Sequence, residues 1–99
     1  MFYVLSIGAG IEHLESILLS KELGYKVIAV DRDKSAVALK FADISYIIDF
    51  KNEEEIINIA KKYNIKAVLP TPIGRYLSTV GAVNDALNLK GIGKESALK

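Results

Sequence analysis

The 99-residue chain has no cysteine and no tryptophan, one histidine, two prolines and one methionine. Without cysteine it has no disulfide, no thiolate nucleophile and no thiolate-based metal site. A single histidine excludes a zinc site built on several imidazoles. Charge of one sign is also lacking: 13 Lys and Arg stand against 12 Asp and Glu, for a net charge of +1. With no basic block, the chain is not expected to bind nucleic acid. Long hydrophobic runs are missing too. The longest charge-free stretch, Met1 to Ile11, has 11 residues, where a membrane span needs about 20. No cationic segment precedes it, as one would in a signal peptide. No membrane association is expected, and the cytoplasm is the expected compartment.

What is present is a globular balance, 51% hydrophobic and 25% charged residues. At this length the chain forms one small domain, which buries only about 60–65% of its unfolded surface. The mean hydropathy is nonetheless positive, +0.24. The apolar excess must lie inside a dense fold or on a surface meant for a partner.

Two periods alternate along the chain. Residues 2–7 (FYVLSI), 27–30 (VIAV), 44–48 (ISYII) and 67–69 (AVL) are continuous apolar runs, closed by Gly8, Asp31, Asp49 and Pro70. Unbroken apolar strands imply burial on both faces, as in a parallel sheet covered by helices. Residues 12–23 carry Leu14, Ile17, Leu18 and Leu23 at helical spacing, with Gly24 just beyond as the C′ residue. A short helix is expected over 36–42, capped by Ser35 or Asp33. Another is expected over 53–63, capped by Asn52, with an acidic first turn and a basic last turn that complement its dipole. A fourth is expected over about 74–88, with Tyr76, Leu77, Val80, Val83 and Leu87 on one face. The order βαβαβαβα and right-handed crossovers predict a Rossmann-like α/β fold. It has three layers, α/β/α, around a four-stranded parallel sheet of order 3-2-1-4. Residues 1–88 form this domain, and 89–99 read as an exit segment. Tyr3, Tyr46 and Phe50 read as core or sheet-edge residues.

Ligands of open parallel sheets sit outside the carboxyl ends of the strands, where the strand order reverses. Three segments reach that edge: Gly8-Ala9-Gly10, Asp31-Arg32-Asp33, and the loop from Pro70 to Arg75. Gly8 and Gly10 allow a tight turn and a close approach at a helix N-terminus, which attracts anions. The third glycine of a dinucleotide fingerprint is replaced by His13. The alternative for this pair is a strand-to-helix turn that holds no ligand. Asp31, 23 positions after Gly8, stands where an acidic residue holds a ribose hydroxyl in dinucleotide folds, or else it only terminates a strand. Glu12 could bind a substrate ammonium or serve as a dipole-favoured first-turn acid. His13 could neutralise a phosphate at the helix terminus or act in proton transfer, but it reads first as a partly exposed first-turn residue. The planar fork of Arg75 suits a carboxylate or phosphate, or the residue is a solvated surface arginine. There is no P-loop and no nucleophile elbow, and no catalytic residue is identified.

The stretches VLSIGAGIEHLESILLSKELGYKVIAVDRD, DRDKSAVALKFAD, IIDFKNEEEIINIAKKYNIKAVLPTPIG and VNDALNLKGIGKESALK, taken in order, cover essentially the whole chain. The set resembles the N-terminal domain of ATP-grasp enzymes, also called the pre-ATP-grasp or biotin carboxylase N-terminal-like domain. Its relatives include carbamoyl-phosphate synthetase large chains and the formate-using glycinamide ribonucleotide transformylase. The resemblance implies a Rossmann-like layer that precedes two ATP-grasp subdomains, which supply the ATP and Mg²⁺ sites of the parent enzyme. Such enzymes activate a carboxylate as an acyl phosphate, which an amine or other nucleophile then attacks. The N-terminal domain lends its strand ends to the small-molecule substrate, so Gly8, Gly10, Asp31 and the loop from Thr71 to Gly74 would line the substrate side, beside Glu12 and Arg75. There are departures. Ile11 follows the glycine turn where transformylase-like members carry glutamate, and the fourth-strand loop reads Pro70-Thr71-Pro72-Ile73.

The resemblance further implies that these 99 residues alone neither bind ATP tightly nor turn over. A second reading is an NAD-binding regulatory module like those of potassium transport systems, which Gly8, Gly10, Asp31 and Asp49 fit. The fourth strand would be an unprotected edge. Together with the face of Tyr76, Leu77, Val80 and Val83, it points to a homodimer or to a surface covered by the ATP-grasp subdomains.

Overall fold

In a computed structural model the described residues are 2–89. The elements run β1 (Tyr3–Ile7), α1 (Ile11–Glu22), β2 (Lys26–Asp31), a 3-10 turn (Leu39–Phe41), β3 (Ile44–Ile47), α2 (Glu53–Tyr63), β4 (Ala67–Val68), a second 3-10 turn (Gly74–Tyr76) and α3 (Leu77–Leu87). All strand pairs are parallel and the order is β3-β2-β1-β4, the α/β architecture expected from the alternation of apolar runs and helical stripes.

Successive strand residues point to opposite faces of the sheet, and each face has its own core. Leu5, Ile7, Ile28 and Val30 face α2 and α3, where they meet Ile56, Ile59, Ala60, Val80 and Val83. Val4, Val27 and Ala29 face the other way, toward Ile17 of α1 and toward Ala38 and Leu39 of the β2–β3 connection. The two central strands are buried along nearly their whole length. The edge strand β3 alternates between half-buried and exposed residues. The continuous burial expected for it does not occur, because it has a neighbour on one side only and its Ser45 and Ile47 face outward.

Four helical expectations are corrected. The segment 36–42 is not an α-helix but an irregular passage ending in the 3-10 turn. Ser35 N–H bonds the Asp33 carboxylate, and Ala38 N–H leaves the segment to bond the Ala9 carbonyl at 2.8 Å, so the i→i−4 ladder cannot start. The fourth helix begins at Leu77, after the turn over Gly74–Tyr76. In α1 the side turned to the sheet is His13, Ile17 and Ser20. Leu18 and Leu23, expected in the core, are exposed. Asn52 does precede α2, but its amide bonds the Glu55 carboxylate at 2.7 Å and caps no backbone N–H. Tyr3, Tyr46 and Phe50 pack against the first core, as expected. Of the exit segment, Leu89 also packs there and donates its N–H to the Asn84 carbonyl; residues 90–99 lie outside the described residues. No helix among the described residues is long and apolar enough to cross a membrane.

Candidate functional site

The strand order reverses at β1, which has β2 and β3 on one side and β4 on the other. The crevice between the ends of β1 and β4 is therefore the place where an open sheet of this kind receives a ligand. The chain leaves β1 through Gly8, whose φ of +101° suits glycine. An added Cβ there would stand 2.6 Å from His13 Cε1 and 2.6 Å from Tyr76 Cε2. The close approach that Gly8 permits is thus made by the protein's own imidazole and phenol rings.

His13 lies in the first turn of α1 and is 1% exposed. The partly exposed position expected for it is overturned, because the turn at Gly8 directs the ring inward onto Tyr76, with ring centroids 5.9 Å apart. Its Nε2 lies 2.8 Å from Thr71 Oγ1, in the loop that follows β4. Thr71 Oγ1 also accepts the Ile73 N–H at 3.1 Å. The other ring nitrogen, Nδ1, is buried without a hydrogen-bond partner, 3.6 Å from Glu12 Oε1. A lone pair on Nδ1 would be repelled by that carboxylate, whereas a proton would be attracted to it. Electrostatics therefore assigns the proton to Nδ1 and makes Thr71 O–H the donor to Nε2. Burial lowers the His13 pKa from its ordinary value, against the opposing pull of the Glu12 and Asp31 carboxylates. The ring is neutral at pH 7.

The remaining candidates group around this pair. Glu12 folds back over Gly10, whose added Cβ would stand 2.6 Å from Glu12 Oε1. Gly10 is the N-cap position of α1, and no side chain caps the helix there. Arg75 is exposed, with its guanidinium carbon 5.4 Å from the Tyr76 ring centre. Tyr76 in turn packs on Phe50, centroids 4.8 Å apart. Glu12, His13, Tyr76 and Arg75 thus form one connected row across the crevice, with a carboxylate at one end and a guanidinium at the other. Gly74 opens the 3-10 turn on an exposed surface with nothing within 4 Å of an added Cβ.

Asp31 is placed differently. Its Oδ2 accepts the Ala9 N–H at 2.8 Å and its Oδ1 accepts the Asp33 N–H at 2.9 Å. Both carboxylate oxygens are engaged by backbone amides, so Asp31 clamps the β1 turn to the end of β2. The Ala9 N–H, which a phosphate would need in a glycine-turn cradle, is already donated to it. Among the described residues no three His, Asp or Glu side chains converge on a metal position. The donor set at this edge does not fit an ATP–Mg²⁺ site. Sequence reasoning missed Tyr76 as a site residue, because its apolar neighbours placed it in a core stripe. The helix N-terminal histidine following a two-glycine turn was the available signal for the buried cluster.

The family described as "PylC-like, N-terminal domain" matches residues 3–93. The formate-dependent phosphoribosylglycinamide formyltransferase of Prochlorococcus marinus (strain MIT 9301) is 37% identical over 67 residues, 68% of this chain and 17% of that protein. The 3-methyl-D-ornithine–L-lysine ligase of Methanosarcina barkeri is 34% identical over 65 residues, 65% of this chain and 17% of that protein. Among solved structures, phosphoribosylglycinamide synthetase from Anaerococcus prevotii superposes with a TM-score of 0.85 at 26% identity, covering 98% of this chain and 25% of that one. The chain thus spans about a sixth of the length of these two sequence relatives. With nearly its whole length matched, the chain belongs to the PylC-like N-terminal domain family, the N-terminal domain of ATP-grasp enzymes.

Proposed function

We propose that this domain is the substrate side of an ATP-dependent ligase of the ATP-grasp type, with no catalytic group of its own. In the parent reaction a carboxylate oxygen attacks the γ-phosphorus of ATP and ADP departs. An amine or similar nucleophile then attacks the acyl phosphate and expels phosphate. ATP and Mg²⁺ would be held by the ATP-grasp subdomains, and this domain would hold the small-molecule substrate. A carbamoyl-phosphate synthetase-like reaction is one member of this class. The observation that carries the reading is the row from Glu12 through His13 and Tyr76 to Arg75 at the strand-order reversal. It presents a carboxylate and a guanidinium at the crevice while Asp31 and the Ala9 N–H are engaged with each other.

Calorimetry and thermal shift on the 99-residue chain test this reading against the dinucleotide alternative. Neither Mg-ATP nor NADH is expected to bind at micromolar concentration. A ligand at 100 times its dissociation constant adds about 2.7 kcal/mol, a shift on the order of 10 °C or more for a domain of this size. Such a shift with NADH, or micromolar binding of Mg-ATP, overturns the proposal.

A further inference from the structure

The buried imidazole of His13 has chemistry that substrate recognition leaves unused. Its Nδ1 is sealed from water with no hydrogen-bond partner, a cost that an apolar side chain at position 13 would avoid. What faces Nδ1 is the Glu12 carboxylate, with Oε1 at 3.6 Å, and what meets Nε2 is the Thr71 hydroxyl at 2.8 Å. With the proton on Nδ1, the hydroxyl hydrogen of Thr71 points at the Nε2 lone pair. Carboxylate, imidazole and hydroxyl then follow one another in the order that makes a hydroxyl nucleophilic.

A stiff backbone presents Thr71 at the crevice. Pro70 and Pro72 flank it. Each fixes its own φ, and a residue that precedes proline is held extended. Of the two lone pairs on the hydroxyl oxygen, one accepts the Ile73 N–H at 3.1 Å and the other is left for attack. The side chain is half-buried, so a small molecule can reach it, whereas His13 is reached only through it. We propose that Glu12, His13 and Thr71 form a hydrolytic triad for small activated esters, with Thr71 as nucleophile, His13 as proton carrier and Glu12 as positioning residue. This activity is separate from the proposed ligation, which draws no catalytic group from this domain. Thr71 Oγ1 attacks the acyl carbon, and its proton passes to His13 Nε2. The bond from the acyl carbon to the alcohol oxygen breaks, and the alcohol leaves with the proton from Nε2. Between the two transfers the imidazolium faces Glu12 through Nδ1, and the Asp31 carboxylate also favours its charge. Water then attacks the acyl-threonine and gives a proton to Nε2. The carboxylic acid is released and that proton returns to Thr71.

Incubation of the 99-residue chain with p-nitrophenyl acetate tests this, read as p-nitrophenolate release and as peptide masses after an acid quench. Release above the buffer rate is expected, with an acetyl group on Thr71. His13→Gln and Thr71→Val are each expected to lower the rate about 100-fold or more, and Thr71→Ser to keep it. Glu12→Gln is expected to lower it at least about tenfold. The groups facing the ring are the Glu12 and Asp31 carboxylates and the stacked Tyr76 phenol. Removing the Glu12 charge lowers the His13 pKa further, so the rising limb of the pH–rate profile should move to lower pH, which a purely structural role for Glu12 would not produce. A rate no higher than buffer overturns the proposal, as do acetyl groups found on lysines only. So does a Thr71→Val or His13→Gln variant as fast as the wild type. The acetylated position is read on the wild-type chain, so that result decides whether or not Thr71→Val folds.

Discussion

The His13 imidazole and the Thr71 hydroxyl meet at 2.8 Å across the point where the strand order reverses, joining the first turn of α1 to the chain leaving β4. Residues 58 positions apart are thereby locked at the floor of the crevice. The bond holds Thr71 in the orientation that also receives the Ile73 N–H, so the loop that would meet a substrate is fixed by a helix on the far side of β1.

This neutral buried ring makes stability depend on pH. The folded state lowers the pKa of His13 below its unfolded value of 6.5, so between the two values the unfolded chain binds more protons. Stability therefore rises with pH in that window. The His13 contribution is complete above pH 6.5 and is lost as the pH falls from 6.5 through the folded value. Melting temperatures between pH 7.5 and 5 should drop more steeply for the wild type than for His13→Gln, and parallel curves would rule the titration out.

Gly8 and Gly24 separate backbone strain from collision. Both have positive φ, +101° and +93°. An added Cβ at Gly24 meets nothing within 4 Å, whereas at Gly8 it meets His13 and Tyr76 at 2.6 Å each. Gly24→Ala should cost about 1 kcal/mol, the left-handed strain alone. Gly8→Ala should cost about 2–4 kcal/mol, because two buried rings must also move. Urea unfolding of the two variants side by side measures the difference.

Asp31 acts as a clamp, and its removal should register as lost stability. Ala9 is fully buried, so Asp31→Ala leaves its N–H without an acceptor, at a cost of about 1–3 kcal/mol. Asp31→Asn should recover part of it. Its one carbonyl oxygen can accept the buried Ala9 N–H, while its NH₂ group cannot accept from the exposed Asp33 amide, so chemical denaturation should place the asparagine variant between the wild type and the alanine variant.

The central strands were legible because Val4–Ile7 and Val27–Val30 are apolar at every step bar Ser6 and are buried on both faces. The strand order followed from the helical crossovers between them. The side of α1 that meets the sheet was not legible. Its apolar residues surround more than one face, and hydrophobicity alone selects Leu18 and Leu23 over His13 and Ser20. The failed helix over 36–42 depends on Ala38 N–H reaching back to Ala9, a partner distant in sequence that no local propensity contains. At the site, Gly8 was legible as a tight turn. The reason only glycine fits there lies in Tyr76, which the chain supplies 68 residues later. Asp31 was visible at the right distance from the glycines, but the direction of its carboxylate, onto Ala9 N–H, is a tertiary fact.

The protonation of His13 gives the most direct view of the site. Nδ1 faces Glu12 Oε1 at 3.6 Å with no other partner, and Nε2 faces Thr71 Oγ1. The Nδ1–H tautomer follows, with Thr71 as donor, and long-range ¹H–¹⁵N correlation spectra distinguish it from the Nε2–H form. Glu12→Gln removes the largest influence raising the His13 pKa, so the imidazole should titrate at still lower pH in that variant. Thr71→Val deletes both the donor to Nε2 and the acceptor for Ile73 N–H, at a cost of about 1–3 kcal/mol, and Thr71→Ser should restore most of it. Glu12 would remain opposite Nδ1 in the valine variant, so its spectrum should still show the proton on Nδ1. A switch to Nε2–H there would mean that Thr71, and not Glu12, sets the tautomer.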